Sequence, residues 1–118
     1  MHRFKHDTDF SPLLGSEVVQ VCIGQNEVIL NLHPVGFLRI EGDWTLAEEG
    51  RVVDRWCEFA DRTEWRIPAL AGRRILGVVV RDDRHLEIQF ERATLVIEDD
   101  SDYYEAFAIE HPALKLYV

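Results

Sequence analysis

Hydrophobic and polar residues alternate one by one along most of this chain. In HLEIQFE, Leu86, Ile88 and Phe90 stand on one side against Glu87, Gln89 and Glu91 on the other, and in EVILNLH, Val28, Leu30 and Leu32 share a face. Successive side chains of a strand point to opposite sides of the pleat, so this period of two predicts strands with one buried face, and helical spacing fits it poorly. EVVQVCI, RILGVVV and ATLVIED read the same way, as does GFLRIEGDW, with Leu38, Ile40 and Trp44 on one face. Two further segments read as hairpins: WTL and RVVD across the turn EEG, and AFAIE and LKLYV across HPA. GQN at Gly24 to Asn26, HPVG at His33 to Gly36 and RDDR at Arg81 to Arg84 supply turn residues between the other strands. Connections this short predict antiparallel pairing and exclude βαβ units.

The alternation recurs at an offset of 57 residues. Leu13 meets Leu70, Gly15 meets Gly72, Val18 meets Ile75 and Val21 meets Val78. At an offset of 58, Val28, Leu30 and Leu32 meet Leu86, Ile88 and Phe90; the offset then returns to 57, where Leu38, Ile40, Glu41 and Asp43 meet Leu95, Ile97, Glu98 and Asp100. Each copy opens on a proline, leucines and a glycine, which predicts one helical turn with Pro first and Gly in the left-handed cap behind it. The pattern predicts a mainly β, single domain over residues 1–118, with pseudo-repeats at 11–56 and 67–118. It consists of two similar antiparallel meanders of about ten strands in all, packed as a sandwich or a barrel-like sheet. Between the copies, RWCEFADRTEWR is least regular; Val52, Trp56, Phe59 and Ala60 would share a helical face, which predicts a short helix there.

Composition narrows the function classes. At 118 residues, 47% apolar and 30% charged, the chain is a globular domain with room for one core. Its apolar runs are too short for a transmembrane helix, and MHRFKHDTDF places aspartates where a signal peptide needs apolar residues, so a cytoplasmic location is expected. Cys22 and Cys57 stand in no CxxC pattern and read as free packing thiols. Twenty-two acidic against 13 basic residues give a net charge of −9. A field of that sign repels phosphate backbones and anionic lipid, which argues against nucleic acid and membrane, and it attracts a basic protein. Net charge also serves solubility with no partner at all.

The acidic residues concentrate in EDDSDYYE, with five carboxylates between Glu98 and Glu105. As a recognition surface, Asp99, Asp100, Asp102, Tyr103, Tyr104 and Glu105 would offer clustered charge and amphipathic rings to a cationic partner. The plainer reading is a structural corner, with Asp100 and Ser101 in a turn and Asp102 with Glu105 as a capping box. Its place opposite Glu41 and Asp43 in the repeat favours a feature of the fold over a unique active site. A calcium loop would need EF-hand spacing, which is missing, and a glycosidase pair would need two acids that nothing here brings together. Trp44, Trp56 and Trp65 are candidates either to plug the core or to line a ligand pocket. His2 and His6 lie near the terminus, His33 and His111 precede prolines in turns, and His85 follows RDDR and is expected to be exposed. No GxSxG, HExxH or phosphate-binding glycine loop occurs, so no catalytic residue, metal or cofactor is implied.

LLGSEVVQVCIG, FLRIEGDWTL, VVDR and LVIEDDSDYYEAFAIEH together resemble a family of small bacterial proteins of unknown function. Its members have G-x-x-V-x-x-V near the start, I-E-G-x-W in the middle and D-S-D-x-Y-E-x-[FY]-x-I near the end. The last motif stands here as Asp100, Ser101, Asp102, Tyr104, Glu105, Phe107 and Ile109. The resemblance implies a bacterial protein and supplies no activity. Many immunity proteins that neutralise bacterial toxins share this size and acidity, an analogy of type. The expectation is a non-enzymatic interaction domain, immunity-like in kind; the alternative is a small-molecule-binding β domain with its pocket near the tryptophans. A homodimer through an edge strand or the apolar LKLYV is also expected.

Overall fold

The structure, a computed structural model, describes residues 3–56, 65–99 and 105–118. Among these, ten strands run as β1 (Glu17–Ile23), β2 (Val28–His33), β3 (Phe37–Ile40), β4 (Asp43–Glu48), β5 (Arg51–Trp56), β6 (Ile75–Asp82), β7 (His85–Phe90), β8 (Ala93–Glu98), β9 (Phe107–His111) and β10 (Leu114–Tyr117). They form two antiparallel five-stranded sheets, in the orders β1-β2-β3-β9-β10 and β5-β4-β8-β7-β6, packed as a sandwich. The alternating faces meet as expected. Leu30, Leu38 and Ile109 are register partners across β2, β3 and β9, and Ile88, Leu95 and Leu46 across β7, β8 and β4. All six are fully buried.

Sheet membership departs from two self-contained meanders. GFLRIEGDW is divided at Glu41–Gly42: β3 belongs to the first sheet and β4 to the second. The hairpin β4–β5 pairs with β8, and the hairpin β9–β10 pairs with β3, so each sheet receives its last two strands from the opposite half of the chain. The two chain crossings touch. Glu41 and Gly42 N–H groups both donate to the Ala106 carbonyl, at 2.8 and 2.9 Å. A Cβ at Gly42 would lie 2.7 Å from the Glu98 carbonyl oxygen and 2.8 Å from the Ala106 Cβ, so only glycine lets the crossings approach this closely. The short helix expected around Val52 and Trp56 is a correction: both lie in β5, whose pairing with β4 outweighs a weak helical spacing, and residues 57–64 lie outside the described residues.

At the other edge the sheets are clasped together. Short 3-10 turns at Ser11–Leu13 and Ile67–Leu70 have Pro in their first turn and are followed by Gly15 and Gly72, at φ 84° and 90°. Gly15 N–H donates to the Ile75 carbonyl and Gly72 N–H to that of Val18; Ile75 N–H donates to Ser16 and Val18 N–H to Arg73. These four bonds exchange in pairs under a shift of 57 residues, and they flank the single bridge Glu17–Arg74. The second turn is also anchored by Asp54, a buried residue of β5 whose Oδ2 accepts the N–H groups of Arg66 and Ile67 at 2.7 and 2.9 Å.

Candidate functional site

The acidic run begins where β8 ends, and the period of two separates its members. Glu98 ends β8 on the solvent face and its side chain is half-exposed. Asp99 turns the other way and is fully buried, with its Oδ2 2.7 Å from Arg3 Nη1. Its N–H donates to the Arg84 carbonyl, and Arg84 Nη1 donates to the Asp99 carbonyl. Asp99 is therefore removed from the proposed partner surface: the N-terminal segment covers it, with Phe4 buried against Phe107 at a ring separation of 6.1 Å. Glu105 follows the crossing and pairs with Arg39, which also holds Glu41 at 2.9 Å. Asp100, Asp102, Tyr103 and Tyr104 lie outside the described residues.

The tryptophans do come together. Trp44 and Trp56 are register partners on β4 and β5, and Trp65 lies 6.3 Å from Trp44 between ring centroids. The gap they enclose with Gly24 to Val28, Ile40 and Gly42 is about 10 Å³, room for about one water, so on this side the rings plug the core. A larger space lies on the other side of β4. An open cleft of about 400 Å³ on the outer face of the second sheet is lined by Asp43, Thr45, Arg55, His85, Val96 and Glu98, with Trp44 and Trp56 at its border.

Register builds this cleft. Thr45 is flanked by Arg55 on β5 and Val96 on β8, so its floor is short and partly apolar between longer side chains. Two residues further along, on the same face, Asp43, Glu98 and His85 form a row across β4, β8 and β7. Two carboxylates directly opposite each other on a sheet repel. His85 Nε2 is 3.8 Å from Glu98 Oε1, too far for a hydrogen bond, while its Nδ1 is 2.8 Å from Asp82 Oδ1. That contact and the Arg84 N–H hold the Asp82 carboxyl below its ordinary pKa of 3.8. The arrangement presents negative charge at one end of a recess and the Arg55 guanidinium at the other. Among the described residues no group of three or more His, Cys, Asp or Glu is placed to hold a metal ion, and no helix is long and apolar enough to cross a membrane.

The sequence pointed beside the tryptophans for a pocket but gave no sign of the residues that line this cleft. His85 was legible only as a residue after a turn, and Thr45 and Val96 only as outward strand positions. What joins them is the β4–β8 pairing, which spans about half of the chain and leaves no local signature. The half-buried Cys22, expected as a packing thiol, lies near the Asn31 amide, 3.7 Å from Nδ2; Cys57 lies outside the described residues. No protein-family model, curated protein or solved structure matches the chain.

Proposed function

We propose that this chain is a non-enzymatic, acidic protein-interaction domain, immunity-like in kind, that binds a basic partner in a bacterial cytoplasm. The observation that carries this reading is the paired row Asp43–Glu98 at the mouth of the open cleft on the second sheet. Carboxylates gathered on an open surface speed the encounter with a basic partner and fix its register. The net charge of −9 adds long-range attraction for such a partner. The reading moves the recognition surface away from Asp99 and onto the outer face of β4, β8 and β7. Membership of the small bacterial family resembled by the I-E-G-x-W and D-S-D-x-Y-E motifs belongs to the same proposal.

The test is capture of partners from a bacterial lysate at low salt, eluted with a salt gradient, with the wild-type chain and Glu98→Lys as parallel baits. The expected result is a basic protein released from the wild-type bait at moderate salt and held poorly by the variant. A partner retained equally by both baits would remove the row from the interface. The cleft also favours a second reading, a small-molecule-binding β domain, because its volume is within the range of ligand sites and it borders Trp44 and Trp56. A ligand screen by thermal shift separates the two: a stabilising compound displaced by Val96→Phe supports this second reading.

A further inference from the structure

We infer that two copies of this chain join through the outer side of the clasp between β1 and β6, in a two-fold contact that lays Glu17 of each copy on Arg74 of the other. β-Bulges interrupt both strands there, with register shifts between Val18 and Gln20 and between Ile75 and Gly77. The extra residues are Val19 and Leu76, 51% and 58% exposed, and a bulge re-aims the side chain it carries. Leu14, 49% exposed, joins Leu76 at one end of the clasp, because the hydrogen bond from the Gly15 N–H to the Ile75 carbonyl sets their chain neighbours side by side. At the other end Val19 adjoins Ala71 in the same way, through the bond from the Gly72 N–H to the Val18 carbonyl. Apolar side chains gathered in solvent at one place suit contact with another molecule. Midway between the two ends, Glu17 and Arg74 face each other across the bridge, yet among the described residues neither forms an ion pair. Residues 11–20 and 66–76 carry three arginines and one glutamate in a chain of net charge −9, so local charge does not oppose a second copy and offers a basic partner no attraction. Two orientations of a two-fold axis lie in this surface. With the axis across the strands, Glu17 meets Glu17 and Arg74 meets Arg74, and like charges oppose the contact. With the axis along the strands, each Glu17 meets an Arg74, Leu14 packs on Leu76 and Val19 on Ala71 of the other copy, so charge selects this orientation.

The contact is tested on the full chain by sedimentation velocity over micromolar to millimolar concentrations, where a reversible equilibrium between monomer and dimer is expected. Leu76→Asp should abolish the dimer and leave far-ultraviolet circular dichroism and the urea midpoint unchanged, because the side chain is exposed. Glu17→Arg and Arg74→Glu should each weaken the dimer about tenfold, as two exposed ion pairs become two repulsions, and the double variant should restore the wild-type affinity. The two single changes move the net charge in opposite directions, so a loss common to both reports the local pairing. A chain that stays monomeric throughout would overturn the inference. A dimer that Leu76→Asp leaves intact would also overturn it and would place the contact on an edge strand or LKLYV. Single charge variants whose loss the double variant does not recover would overturn the pairing of Glu17 with Arg74. Should Leu76→Asp fail to fold, the charge exchange decides alone.

Discussion

Single residues here have roles that their neighbours in sequence do not announce. Asp99 stands in the most acidic stretch of the chain, yet it is a fully buried partner of Arg3, and its Oδ1 has no hydrogen-bond donor among the described residues. A buried charge left without its counter-ion is far costlier than the pair is stabilising. Arg3→Gln is therefore expected to lower stability by about 3 kcal/mol in urea unfolding, more than Asp99→Asn, which removes the buried charge itself. At the exposed Asp82 the expectation concerns pH. Its folded-state pKa is depressed by the contact with His85 and the Arg84 N–H, so its contribution is present above the unfolded value and lost as pH falls through the folded one. The stability difference between wild type and Asp82→Asn should shrink progressively as pH falls below 3.8. A difference that grows in acid would contradict the assigned contact. The burial of Asp99 was not legible in EDDSDYYE, because the residues that cover it come from the opposite end of the chain.

Among the elements, β4 and β8 carry both the core and the candidate site. Their inward residues, Trp44, Leu46, Leu95 and Ile97, follow from alternation alone, and so does the outward direction of Asp43, Thr45, Val96 and Glu98. Which outward residues become neighbours depends on register, and register here juxtaposes two acids. Glu98→Gln, at a half-exposed surface position, is expected to change stability by less than about 0.5 kcal/mol, read from the urea midpoint at unchanged slope, while weakening the capture of a basic partner. A variant that loses both stability and binding would make Glu98 a structural residue. The hairpin β4–β5 was legible in more detail. Glu49 and Gly50 both take positive φ, 51° and 79°, as a two-residue turn matched to strand twist requires, and the glycine in EEG marks the place.

In the whole molecule, the exchanged hairpins couple the two halves. Each sheet takes three strands from one half and two from the other, and the clasp at Gly15, Val18, Gly72 and Ile75 adds reciprocal hydrogen bonds at the opposite edge. Neither half completes a sheet alone, so unfolding is expected to be one cooperative step. The checks are coincident urea transitions by tryptophan fluorescence and far-ultraviolet circular dichroism, with a separate early loss of either signal as the contrary result. The sequence by itself determined the strands, their inward faces, their turns and the two 3-10 turns, because alternation, Pro and Gly act over a few residues and need no distant partner. The recurrence at 57 residues also marked the positions that meet in the clasp. Only the tertiary structure decided the sandwich, the change of sheet at Gly42, the burial of Asp99 against Arg3, and the cleft between β4 and β8. Each of these joins segments far apart in the chain, where what selects a partner is the total apolar surface that a given pairing buries, a quantity that no short stretch of sequence contains.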